Sequence, residues 1–220
     1  MTEEPTGPRM TRAGASARRE HERRRAHDVA RLRARWGPLG GLAIALSAEP
    51  SSTAAWAAGA EGEETLGRSL DSLVSPQLAL LHDRRIPGTR ANIDHLVVTT
   101  AAIWVIDAKH YRGQRPRRAA EGGILRPRTT KLVVGRRDRS NLVDGVLWQT
   151  ERVRRIVPTV PVTGVLCFVG ADWPMIGGSF SIRGVQVLWP KQLVKWLGQD
   201  DGGLDIAETS RELASRFPPA

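Results

Sequence analysis

Hydrophobic and polar positions along the chain change period several times, and each change predicts an element. Leu66, Leu70 and Leu73 recur at helical spacing in a helix over 61–74, and the same stripe carried back one turn reaches Glu63, a carboxylate on the inward side. Glu64 and Arg68 fall one turn apart on the outer face instead. Short strand-like runs follow at 78–82, 92–99 and 102–108. Arginine then dominates, and a loop and hairpin with Ile124-Leu125 and Lys131-Leu-Val-Val as strand candidates is expected. A helix over 141–157 carries Leu142, Val146, Val153 and Ile156 on one stripe, and Gln149 falls on that stripe too. The continuous apolar run at 162–169 suits a strand covered on both faces. A strand at 185–188 and helices at 191–197 and 204–217 close the pattern. Helix, three strands, helix, two strands and closing helices make an α/β or α+β domain, a mixed sheet flanked by helices.

The pattern is weaker ahead of this domain. Residues 1–14 read as a disordered tail, and 15–36, without Pro or Gly, as a solvated Arg-rich helix with Val29, Leu32 and Trp36 on a thin apolar face. Gly, Ala, Ser and Pro then mark a linker. The chain therefore divides into a tail, basic helical arm and linker at 1–55 and a globular domain at 56–220. Its 220 residues, 40% of them apolar, suffice for one such core. The longest apolar stretch, 38–47, is about half of what a membrane span needs, and the basic arm ahead of it is far longer than the n-region of a secretory leader. Cys167 is the only cysteine, so an internal disulfide and a cysteine-based zinc finger are excluded, and a cytoplasmic setting fits.

Charge changes the picture more than size does. The net +10 is unevenly spread: residues 109–139 hold eleven Arg and Lys against Glu121 and Asp138, while 1–40 hold ten Arg against five acids. Such a block marks a polyanionic partner, nucleic acid above all, through phosphate neutralisation and counterion release. An Arg-biased composition on a solvated surface is the plainer alternative.

Chemistry concentrates in the segment from Ile93 to His110. If it is a hairpin turning at Thr100-Ala101, residues whose numbers sum to 201 stand opposite, and Asp94 then faces Asp107 with Cβ atoms about 5 Å apart. Lys109, two residues on, shares their face. Two like charges at one position repel unless a cation lies between them, and Mg²⁺ (or Mn²⁺) is held by one or two carboxylates together with water and phosphate oxygens. Lys109 can then orient the attacking water and stabilise charge on the phosphate, which is the chemistry of phosphodiester hydrolysis. Glu63 and Gln149, polar groups on buried stripes, need polar partners that such a site supplies. Each of these residues alone has an ordinary explanation: a solvated strand-end acid, a first-turn helix acid, a flank amide.

Other constellations are weaker. His21, His27, His82, His95 and His110 show no metal spacing, and His95 faces away from the aspartates in this register. There is no Gly-x-Ser-x-Gly elbow and no Walker A lysine motif. Cys167 lies in an apolar strand and reads as inert, and Trp148 beside Gln149 is a cleft candidate.

Four stretches carry a family resemblance: Trp56-Ala-Ala-Gly-Ala-Glu-Gly-Glu-Glu, Leu81-His-Asp-Arg-Arg-Ile-Pro-Gly, Ala91-Asn-Ile-Asp-His-Leu-Val-Val and Val105-Ile-Asp-Ala-Lys-His-Tyr-Arg-Gly. The chain there resembles the nuclease-related domain family, NERD, a branch of the PD-(D/E)XK nuclease superfamily with a restriction-endonuclease-like fold. The resemblance is clear over 56–113, and beyond it the pattern of elements agrees. It implies that Glu63 is the helix acid, Asp94 the strand aspartate, Asp107 and Lys109 the acid-x-Lys pair, and Gln149 the glutamine of the following helix. Asp107 stands where many members carry Glu, which shortens the reach to metal and keeps the charge. The implied activity is metal-dependent cleavage of nucleic acid, DNA ahead of RNA, in DNA processing, repair or defence. Arg112, Arg115, Arg117 and Arg118 lie nearest the site and would track phosphates without reading bases. No membrane partner is expected, and a homodimer is compatible with duplex cutting.

Two further readings stay open from the residues themselves. One is a nucleic-acid- or partner-binding module that keeps the fold without catalysis, the other an Arg-rich scaffold. Metal binding separates the first from a nuclease, and polyanion binding separates the second from both.

Overall fold

The computed structural model describes residues 64–220 apart from 124–125, 176 and 200. The tail, arm and linker at 1–55, Glu63 and the Ile124-Leu125 strand candidate lie outside the described residues. Helix α1 covers described residues 64–71. Strands β1 (Leu78–Arg85), β2 (Asn92–Thr99) and β3 (Ile103–His110) follow, then β4 (Pro116–Gly123), β5 (Arg126–Val134) and β6 (Arg137–Asp138). Helix α2 (Ser140–Arg154), β7 (Val162–Val169), β8 (Phe180–Ile182), β9 (Val185–Leu188), α3 (Pro190–Leu197) and α4 (Ile206–Arg216) complete the chain.

Six strands form one mixed sheet in the order β1-β2-β3-β7-β9-β8. β1, β2 and β3 are antiparallel neighbours, whereas β7 runs parallel to both β3 and β9. A parallel partner needs a long crossover. Here β4, β5, β6 and α2 fill it. The apolar run of β7 is central, as a strand covered on both faces must be.

Period-2 alternation divides the sheet into two faces. On one, Leu80, Val97, Ile106, Ala108, Cys167 and Leu188 pack against Leu66 and Leu70 of α1 and Leu193 and Leu197 of α3. On the other, Leu81, Leu96, Val98, Ile103 and Val105 meet Val153 of α2 and Leu213 of α4. Beside them Leu166, Phe168, Val185 and Val187 meet Val143 and Val146 of α2 and Leu132 and Val134 of β5. The buried line of α2 is Val143, Val146, Thr150 and Val153, rotated from the expected stripe, and Leu142 and Ile156 move to its flank. Gly164 permits this seat: a Cβ there would stand 2.7 Å from Val146 Cγ1 and 2.8 Å from Thr150 Oγ1. Helix ends follow local chemistry. Pro190 opens α3, and the Asp205 carboxylate accepts from the Glu208 N–H at 2.9 Å to cap α4.

β4 is the strand that periodicity does not predict. Its sequence, Pro-Arg-Arg-Ala-Ala-Glu-Gly-Gly, has no apolar alternation, and pairing with β5 from Pro116↔Val134 outward holds it in place of burial. Three-residue β8 and two-residue β6 are too short to carry a period.

Candidate active site

The β2–β3 hairpin has the expected register. The Thr99 N–H donates to the Ala102 carbonyl at 2.9 Å, leaving Thr100-Ala101 as a two-residue turn, and the pairs run from Val98↔Ile103 to His95↔Ile106. The last pair is one residue short of Asp94 and Asp107. The ladder ends there, and the Ala108 N–H donates at 2.9 Å to the Asp94 carboxylate. Asp107, between Ile106 and Ala108 of the α1 face, shares the face of Val105 on the α2 side of the sheet. Asp107 is 7% exposed, and the Lys109 ammonium meets its Oδ1 directly. Buried against an apolar floor, with Leu166 and Phe168 as the β7 neighbours of Asp107 and Lys109, the carboxylate has an opposite charge where it needs one.

Gln149 reaches the same strand from α2. Its Nε2 donates to the Asn92 carbonyl at 3.1 Å, and Asn92 lies two residues before Asp94 on the same side of β2. Its Oε1 is buried and has no hydrogen-bond partner among the described residues. Asp94, Asp107 and Lys109 are thus brought together by β2 and β3, and Gln149 reaches β2 two residues before Asp94. Glu63 lies outside the described residues, and the Leu66 and Leu70 stripe next to it packs on the opposite face. Arg112, Arg115, Arg117 and Arg118 are exposed, along the segment leaving Lys109 and on β4. Trp148, 38% exposed with Arg152 stacked 5.0 Å over its ring, lies on the α2 side away from the buried line rather than in a cleft.

Two residues passed over in the sequence belong to this neighbourhood. Asp83, fully buried and at φ 49°, lies on β1 between the pairs His82↔His95 and Arg84↔Ile93, opposite Asp94. Asp is one of the few residues that tolerates this left-handed backbone. Its Oδ1 accepts from Asn92 Nδ2 at 3.2 Å, so Asn92 joins Asp83 to Gln149, side chain on one and carbonyl on the other. Beside it Arg84 is buried as well; burial pulls its guanidinium pKa down and the Asp83 charge pushes it back. Alternation along β1 is the signal that pointed to Asp83, but it became readable only with the β1–β2 register.

The opposite face carries a different polar group. His82 Nδ1 and His95 Nδ1 lie 2.7 Å apart, and His82 Nε2 is 3.0 Å from Asp71 Oδ1. Burial, with His82 adding to it, holds the His95 imidazole well below the ordinary histidine range. Burial also pushes the Cys167 thiol up, and the Asp107 charge reinforces it, so this cysteine is no nucleophile. Among the described residues no three of His, Cys, Asp and Glu converge on one point suited to a metal ion, and no helix is long and apolar enough to cross a membrane. The oxygen donors nearest Lys109 are the carboxylates of Asp94 and Asp107.

Three antiparallel strands, a crossover to a parallel fourth, and an acid-x-Lys pair on the third strand define a restriction-endonuclease-like fold. The nuclease-related domain model matches residues 58–169, half of the chain, and the chain belongs to that family, NERD, within the PD-(D/E)XK-like nucleases. Domains of that superfamily typically use divalent metals and act on nucleic acid. No curated protein and no solved structure matches the chain.

Proposed function

We propose that this chain is a metal-dependent nuclease that hydrolyses phosphodiester bonds of DNA, with Asp94 and Asp107 holding a divalent cation and Lys109 assisting attack by water. The observation that carries the reading is that the Asp94 carboxylate accepts from the Ala108 N–H, between Asp107 and Lys109 on β3, with Lys109 against Asp107. The donor chemistry fits Mg²⁺ or Mn²⁺, hard ions that take one or two protein carboxylates and complete their shells with water and phosphate oxygens. Gln149 Oε1, a buried acceptor with no partner among the described residues, suits such a shell. The family pattern alone adds Glu63 as the further acid of the set, since it lies outside the described residues and the stripe of α1 packs on the other face.

When bound, the cation polarises a phosphoryl oxygen and acidifies water. The chain's own groups do the rest. The Ala108 N–H fixes the Asp94 side chain, and the Asn92 carbonyl fixes Gln149, so neither must be ordered when substrate arrives. Lys109, 28% exposed, brings a cation to the mouth of the site, where it orients the attacking water and faces the charge that grows on the phosphate. Arg112, Arg115, Arg117 and Arg118 bind backbone phosphates and align the strand. A domain from residue 56 preceded by a tail, arm and linker, in a reducing cytoplasm, completes the reading.

The test is cleavage of labelled single- and double-stranded DNA and RNA with Mg²⁺, Mn²⁺ or EDTA. Wild type is expected to cut DNA only with metal, and Asp107→Ala or Lys109→Ala to lose about 10²-fold or more. Folded wild type that binds nucleic acid and cuts nothing would replace this reading with the binding module.

A further inference from the structure

Lys109 is matched by the Asp107 carboxylate, yet a further cation stands nearby on the same side of the sheet. Strand pairing with β7 continues past β3, the Tyr111 N–H donating to the Val169 carbonyl at 3.1 Å. Tyr111 thus lies two residues beyond Lys109 on the α2 side, and its ring centre is 5.6 Å from that of Phe168, the β7 partner of Lys109. Arg139, the N-cap residue of α2, lays its guanidinium 5.8 Å over the Tyr111 ring. The backbone of Arg139 is fixed on both sides: its N–H donates to the Leu132 carbonyl at 2.7 Å, and its carbonyl accepts from the Leu142 N–H at 2.9 Å. The side chain is not satisfied in this way. Nε is buried without a hydrogen-bond partner, and the terminal nitrogens, which are not buried, make no hydrogen bond among the described residues. Nor does any carboxylate among those residues pair with this guanidinium.

We infer that Arg139 is a substrate-binding residue flanking the acid-x-Lys pair, and that its terminal nitrogens hold a backbone phosphate of the nucleic acid next to the scissile one. A guanidinium laid flat on a ring keeps its planar fork of donors in one orientation, and such a fork matches two oxygens of one phosphate. A half-buried cation with no carboxylate beside it is stabilised when an anion arrives. Two strand residues place Tyr111 about 6.6 Å beyond Lys109, room for a neighbouring phosphate rather than for the same one. Arg117 and Arg118 are different: both are exposed, and among the described residues no ring fixes either, so each must be ordered when it meets a phosphate. The inference rests on the nucleic-acid reading above but not on catalysis.

The test is binding of the full chain, in EDTA, to a labelled DNA duplex of about 20 base pairs across about 0.05–0.2 M salt, followed by steady-state cleavage with Mg²⁺. Arg139→Gln is expected to weaken binding about tenfold and to lower the log–log salt slope by about 0.9, the share of one phosphate. Arg139→Lys keeps the charge without the fork, so it should keep the slope and recover only part of the affinity. In cleavage, Arg139→Gln should raise KM and leave kcat within about twofold, because the contact is the same in ground and transition states. A folded Arg139→Gln, checked by thermal melting, with the wild-type slope would overturn the inference and leave Arg139 a packing residue over Tyr111. Should that variant not fold, Arg139→Lys decides, and wild-type affinity there overturns the inference. Wild type that binds duplex without cutting it would sink the nuclease reading and leave Arg139 standing on its slope. Cleavage with wild-type KM in Arg139→Gln would do the reverse, and a wild type that binds no nucleic acid would sink both.

Discussion

Asp94 and His95 are neighbours in sequence and differ in partner: the Asp94 carboxylate accepts from the Ala108 N–H of β3, whereas His95 is buried against His82 beneath α1. His95 is fully buried and faces His82, which in turn faces Asp71. Its folded pKa lies well below that of the unfolded chain, near 6.5. The unfolded state therefore takes up a proton that the folded state refuses. Stability from this group is complete above about pH 6.5 and is lost as pH falls through the folded value, at up to about 1.4 kcal/mol per pH unit. Urea unfolding between pH 4 and 8 is expected to show that decline, and His95→Gln to flatten it; an unchanged slope in the variant would assign the acid sensitivity elsewhere. That His95 turns away from the aspartates was legible from alternation alone. Its meeting with His82 was not, since it depends on how β1 registers against β2.

At the scale of elements, what could be read was what repeats locally. The β2–β3 register, from Val98↔Ile103 to His95↔Ile106, followed from a two-residue turn and a period of two. β4 was invisible, because a strand held by its ladder at a solvent-facing edge carries no apolar period. The seat of α2 was legible only to within one flank. Its stripe was predicted through Leu142 and Ile156, whereas Gly164 on β7 lets the helix settle on Val146 and Thr150. Gly164→Ala is expected to cost about 1–3 kcal/mol, since the new methyl meets two side chains inside contact distance. Thermal melting checks this, and a melting temperature equal to wild type would mean the helix shifts freely. A shift would also move Gln149 relative to Asn92, so cleavage should fall with stability.

Across the whole molecule, the last twenty residues hold the site-bearing strands from both ends. The Leu204 N–H donates to the Thr100 carbonyl at 2.7 Å and the Gly202 N–H to Thr100 Oγ1 at 3.0 Å, which secures the β2–β3 turn. At the other end the Arg85 N–H donates to the Pro218 carbonyl at 2.9 Å and the Ala220 N–H to the Asp83 carbonyl at 3.0 Å, bracing the strained end of β1. A Cβ at Gly202 would stand 2.4 Å from the Thr100 carbonyl oxygen and 2.7 Å from Ala101 Cα, both main-chain atoms with little room to yield. Gly202→Ala should therefore destabilise the fold by about 1–3 kcal/mol, read by denaturant midpoint. A neutral result would show that this contact does not hold the turn.

The sequence by itself determined the class of fold, the β2–β3 register, the acid-x-Lys pair and the family, because periods, turn lengths and motifs are carried by residues near one another in the chain. Only the tertiary structure decided that Asp83 stands opposite Asp94, that Asn92 links it to Gln149, and that Lys131 meets both Glu121 and Asp138. Those arrangements depend on contacts between distant segments, such as Gln149 with Asn92, 57 residues apart, and Gly202 with Thr100, 102 apart. No local pattern encodes such contacts, since they form only when packing brings the segments together.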